Sequence, residues 1–186
     1  MESLKFTPGA GRSPIAMAWL AHLDDQTKLL AKDLKGITPA ELQWQMRPGM
    51  NTIGMLLAHL AIVEATWVRT AQELEPYEIL PKLVGVGLMD DGMPLKAGGA
   101  PPRGLSGRDL KYYLNLIRRA RAHTKRALRS FRDADLERSF VRTRRNGVRQ
   151  RVTAGWILYH VAEHFSGHYG QILLLRHLYR DRKKKA

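Results

Sequence analysis

Apolar residues recur every three or four positions along four long stretches of this chain, the spacing that turns one face of an α-helix toward a core. In the first stretch Ile15, Trp19, Leu20, Leu23, Leu30 and Leu34 make the apolar side; Ser13 stands at the cap, Pro14 opens the first turn and Gly36 ends the run. Thr38 before Pro39, with Glu41 three residues on, reads as a short capped turn, and Arg47-Pro48-Gly49 as a break. Asn51 is the expected cap of a second helix, whose stripe is Leu56, His59, Leu60, Val63 and Trp67. A third starts near Ser106, where Asp109 completes a capping pattern; Leu110, Tyr113, Leu114, Ile117 and Leu128 form its apolar side, and its other side is basic. The fourth runs from about Thr153 into a lysine-rich end.

Between the second and third helices, residues 76–102 are rich in Gly and Pro and predict an irregular crossover of a length that often lines or covers a site. Alternation around Asn146-Gly147 predicts a small hairpin-like excursion before the fourth helix. The pattern therefore predicts an all-α fold, a four-helix bundle with a long crossover loop between helices two and three and a hairpin before helix four. The whole chain, 1–186, is expected to form a single domain, with 1–12 and 181–186 flexible.

Composition narrows the chemistry. No run reaches the ~18 uninterrupted apolar residues of a membrane span, and the N-terminus lacks a signal-peptide core, so the expected setting is cytoplasmic with no membrane partner. With Cys 0, the chain has no disulfide, no thiolate ligand and no cysteine nucleophile; a metal would sit among His, Asp and Glu, and a thiol reaction would need an outside thiol. The net charge of +14 is uneven: residues 1–100 hold 9 Lys and Arg against 11 Asp and Glu, and residues 101–186 hold 22 against 6. Such a half suits nucleic acid, gathers anionic substrates, or is a solvated basic face.

The fourth helix carries His160, His164 and His168, spaced four apart on one face. With 7 histidines in the chain, chance predicts about 0.2 such pairs, and this stretch holds two in tandem. His59 sits in the apolar stripe of the second helix, where an unmatched imidazole would cost ~1–3 kcal/mol. If helices two and four face each other, His59 meets two of the three, giving three nitrogens around one ion with a fourth position open. The alternative is a hydrogen-bonded cluster of core histidines. Spacing alone does not choose between the 160/164 and 164/168 pairs. Glu163 and Glu64 are candidate acceptors for an imidazole N–H. Ser166, Gly167 and Gly170 would permit close helix approach or leave space beside a ligand, whereas His22, His123 and His177 read as surface or minor packing residues.

The stretch "GITPAELQWQMRPGMNTIGMLLAHLAIVEATW" resembles the lead-in and second helix of the DinB-like superfamily of metal-binding four-helix bundles, which includes YfiT-like proteins and mycothiol-dependent maleylpyruvate isomerase. "HFSGHYGQI" resembles its fourth-helix signature. The resemblance implies His59, His164 and His168 as metal ligands, with His160, Glu163 and Gln171 around them. Gly167 and Tyr169 stand where many members carry His and Arg. It further implies a homodimer, and a Zn²⁺ or Ni²⁺ cofactor that activates water or a low-molecular-weight thiol cosubstrate against a small-molecule electrophile, as a transferase, isomerase or hydrolase. Two other expectations stand beside it: a nucleic-acid-binding bundle using its basic C-terminal half, and a metal-binding protein without catalysis.

Overall fold

The computed structural model describes residues 8–91, 99–143 and 147–182. Four long helices carry the fold: α1 (Pro14–Asp33), α3 (Ile53–Ala71), α5 (Leu110–Leu128) and α6 (Ala154–Arg182), with two short ones, α2 (Pro39–Gln43) and α4 (Leu80–Leu83). The long helices form a four-sided bundle in which α3 packs on both α5 and α6, and α1 on α6 and, less extensively, on α5. Leu23, Leu30, Leu57, Leu60, Ile117, Val161 and Phe165 meet in the central core. The expected all-α class and helix order are as observed.

Local chemistry sets the helix ends. Ser13 caps α1, its hydroxyl accepting from the Ala16 amide at 3.0 Å with Pro14 in the first turn. The cap of α3 is Thr52 rather than Asn51: Thr52 is the extended residue before the helix, and its hydroxyl accepts from the Met55 amide at 3.1 Å. Asp109 itself caps α5, accepting from the Tyr112 amide at 2.8 Å, while Ser106 closes a separate 3₁₀ turn, Arg103–Leu105. Ile15, assigned to the core by its spacing, is exposed; Ala16 and Met17 are buried instead.

The described residues of the crossover hold more regular structure than its Gly and Pro content suggests. They include α4 and a 3₁₀ turn, Leu88–Asp90, with Leu80, Val84 and Val86 buried, and the Arg103–Leu105 turn that follows buries Leu105. Gln45 clips the later part of the crossover beside the start of α3, donating to the carbonyls of Met50 and Gly99 at 2.7 and 3.2 Å. The two-stranded excursion is present as antiparallel β1 (Ser139–Thr143) and β2 (Arg149–Thr153), Phe140 opposite Val152. Of the expected turn, Asn146 lies outside the described residues and Gly147 takes the left-handed φ of +80°. Of the ends expected to be flexible, 1–7 and 183–186 also lie outside them, and α6 continues to Arg182.

α3 is apolar and long enough to pass as a membrane span by composition, but two thirds of it is buried within the bundle. Its buried charge, Glu64, is fully matched: Arg121 of α5 grips both carboxylate oxygens at 2.7 and 3.0 Å, and the Thr124 hydroxyl donates at 2.7 Å. Arg121 also reaches Asp24 of α1 at 3.0 Å. One guanidinium thus ties three helices, which is how a charge only 2% exposed is tolerated. Near the other end of the bundle, Arg176 of α6 pairs with the buried Glu41 of α2 at 3.2 Å.

Candidate metal centre

Because α3 and α6 run antiparallel, His59 faces His164 and His168, while Trp67, eight residues on, faces Trp156 and His160. The Nε2 atom of His164 lies 3.1 Å from that of His59 and 3.1 Å from that of His168. One donor nitrogen from each ring falls within 4.8 Å of the others. A tetrahedral ion with 2.0–2.1 Å bonds would separate its nitrogen ligands by about 3.3–3.4 Å, and the two separations at His164, 3.1 Å each, fall close to that.

The other ring nitrogens decide what these three offer. His59 Nδ1 lies 2.9 Å from a carboxylate oxygen of Asp91, and His168 Nδ1 lies 2.8 Å from the Gln171 amide oxygen. Both oxygens are acceptors, so each Nδ1 carries the proton and each Nε2 turns a lone pair into the cage. His164 is driven the same way: burial first, then its neighbours His168, His59 and His160, push its pKa down to about 3. Burial also lowers His168. Burial thus favours the unprotonated imidazole at His164 and His168, the state that binds a cation, and His59 brings its Nε2 to the same point. The donor set, nitrogen from three imidazoles, suits a divalent transition-metal ion.

The remaining sequence candidates divide. Gln171 touches a cage residue directly. His160 sits one turn away, its ring 5.7 Å from that of His164, and its Nδ1 pairs with Glu163 at 3.3 Å. Glu163 therefore serves His160 and not a cage nitrogen. Glu64 is no acceptor for an imidazole; five residues past His59 it points about 140° around the helix, into the Arg121 pair. Gly167 and Gly170 are exposed, with nothing within 4 Å of where a Cβ would stand, and Ser166 is exposed too, so they mediate no close helix approach and leave the outer side of the cage uncrowded. Tyr169 donates its hydroxyl to Asp33 at the end of α1. His123, read as a surface or minor packing residue, is in fact buried on α5; burial and then Arg69 and Arg126 lower its pKa.

Asp91 escaped the sequence reading. It lies 32 residues from His59 in the crossover, and its signal was only an acidic pair, Asp90-Asp91, within a loop of a length that lines sites.

The sequence profile of the DinB superfamily matches residues 22–172, a span that holds all three cage histidines. Among solved structures, the chain resembles a conserved protein from Enterococcus faecalis, with a TM-score of 0.64 and 16% identity over 86% of this chain and 94% of that one. That likeness is one of fold. No curated protein matches in sequence.

Proposed function

Starting from the fact that this chain belongs to the DinB superfamily, we propose that it is a divalent-metal protein whose ion, Zn²⁺ or Ni²⁺, is held by His59, His164 and His168. The observation that carries this reading is the convergence of three Nε2 atoms, with the Nδ1 of His59 resting on Asp91 and that of His168 on Gln171. Two lone pairs face the third imidazole, and a cation at that point would be bound by all three rings.

Three protein ligands leave a position open, and an ion there would supply Lewis acidity, lowering the pKa of water or of a low-molecular-weight thiol. The enzyme class this supports is a metal-dependent transferase, isomerase or hydrolase acting on a small electrophile. Its thiol, if it uses one, comes from a cosubstrate, since the chain has no cysteine. We further propose that it works as a cytoplasmic homodimer. The nucleic-acid alternative rests on charge alone, and its mark would be an affinity that falls steeply with salt.

The test is metal content by mass spectrometry on protein purified without a metal-affinity tag, beside His59→Ala, His164→Ala and His168→Ala. Near-stoichiometric zinc or nickel in the wild type and its loss in all three variants is the expected result. A wild type that takes up neither ion after soaking would refute the metal reading.

A further inference from the structure

α1 packs on α5 less extensively than α3 does, and a cleft opens between these two helices, on the side of the bundle opposite the α3–α6 pair that bears the cage. Its cavity of about 440 Å³ is lined by Lys28 of α1 and by Arg118, Arg121 and Lys125 of α5, with Asp24 among them and Ile117 as an apolar surface. A second cavity of about 360 Å³ shares Asp24, Lys28 and Lys125 and carries the cleft on to Arg129. Both volumes fall in the range of small-molecule sites, roughly 300–1,000 Å³. From Arg118 to Arg129 the cleft follows about 16 Å of helix axis.

The charges of this lining do not cancel. Arg121 is paired with Glu64, and both oxygens of Asp24 are taken, Oδ1 by Arg121 at 3.0 Å and Oδ2 by Lys125 at 2.7 Å. Five cations line the cleft and these two acids oppose them, which leaves a surplus of three positive charges. Donors remain as well as charge. Lys28 and Arg129 have no partner among the described residues. The Lys125 ammonium uses one of its three N–H groups on Asp24, and Arg121, only 5% exposed, uses three of its five on Glu64 and Asp24.

A charge surplus spread along two turns or more of helix suits an extended, multivalent anion rather than a single carboxylate. The lining holds no aromatic ring on which a base could stack, which disfavours single-stranded nucleic acid. We propose that the α1–α5 cleft binds a short phosphate chain, a di- or triphosphate either free or as the tail of a larger molecule, between Lys28 on one side and Arg118, Lys125 and Arg129 on the other. The site is separate from the histidine cage and stands whether or not the cage holds a metal.

Isothermal calorimetry with inorganic tripolyphosphate at about 0.15 M salt tests it, on the full chain before and after chelator treatment, with circular dichroism as the check of fold. Saturable binding that survives chelator treatment is expected; binding lost with the metal would put the phosphates on the cage and overturn the site. Arg129→Gln should weaken binding about 3–5-fold, and the charge reversal Lys28→Glu should weaken it more. Arg47→Glu, which makes the same change in net charge outside the cleft, should leave it nearly unchanged. No saturable binding, or a loss in Arg47→Glu as large as in Lys28→Glu, overturns the site. So does an oligothymidylate of similar charge that binds more tightly than tripolyphosphate, in favour of nucleic acid. ATP binding no tighter than tripolyphosphate means that the phosphate chain alone is recognised; tighter binding means that the chain is the tail of a larger molecule.

Discussion

Replacing Asp91 by Ala removes the acceptor beneath His59 while leaving every proposed ligand in place. Two routes give the size of the effect. A hydrogen bond to a charged acceptor contributes about 1.5–3 kcal/mol, and this one, at 2.9 Å between groups 14% and 8% exposed, is sheltered enough to act near that range. Losing the partner of a metal-bound imidazole costs about 10–100-fold in affinity, or about 1.4–2.7 kcal/mol. The two agree, so zinc competition against a chromophoric chelator at pH 7 should show a Kd raised by one to two decades. Asp91→Asn, which keeps a neutral acceptor, should fall between Ala and wild type. Gln171→Ala, which removes an uncharged acceptor from His168, should cost less than Asp91→Ala. An Asp91→Ala protein with wild-type zinc affinity would refute the claim that the crossover orients His59.

Arg121→Met strands the Glu64 carboxylate in the core, and breaking such a pair costs about 3–5 kcal/mol, or about 6–20 °C in Tm for a chain of this size. The double variant Glu64→Leu/Arg121→Met should recover most of that loss in thermal melts; a single variant that melts like wild type would contradict the buried pairing. A Cβ on Gly54 would stand 2.5 Å from the Tyr113 hydroxyl and 3.2 Å from the Leu42 carbonyl, so Gly54→Ala should cost about 1–3 kcal/mol in denaturant unfolding despite the better helix propensity of Ala. The metal-free protein should lose stability as pH falls from about 6.5 toward about 3. His164 is neutral in both states above that window, but within it the unfolded chain takes up a proton that the folded one resists. Each such proton contributes a slope of up to about 1.4 kcal/mol per pH unit in urea titrations, and His123, His160 and His168 shift in the same direction. A flat profile across that range would refute the burial of these rings.

What could be read from sequence was whatever repeats at short range. The i, i+4 spacing of His160, His164 and His168 is a property of one helix, and Ser13-Pro14 or Thr38-Pro39 are self-contained signals. Boundaries slipped where two neighbours could each do the job, as with Asn51 and Thr52. Partners set by tertiary packing left no trace: Glu41 looked like a local capping residue, yet its carboxylate meets Arg176 across 135 positions. The same holds for Asp91 at His59 and for Arg121 at Glu64. His123 misled because basic residues surround it in sequence, while the helix turns them outward and the imidazole in.

The two-pronged grip of Arg121 on Glu64 also acts as a keyway for α3. Two parallel hydrogen bonds at one point of a cylinder forbid it to turn, and His59 rides on the same cylinder about 140° away. With side-chain tips about 5.5 Å from the axis, a roll of only ~10° would carry the imidazole about 1 Å sideways, several times the ~0.2 Å tolerance of a metal–ligand bond. The angular setting of the histidine cage is therefore fixed by charges buried on the opposite side of the helix that bears it.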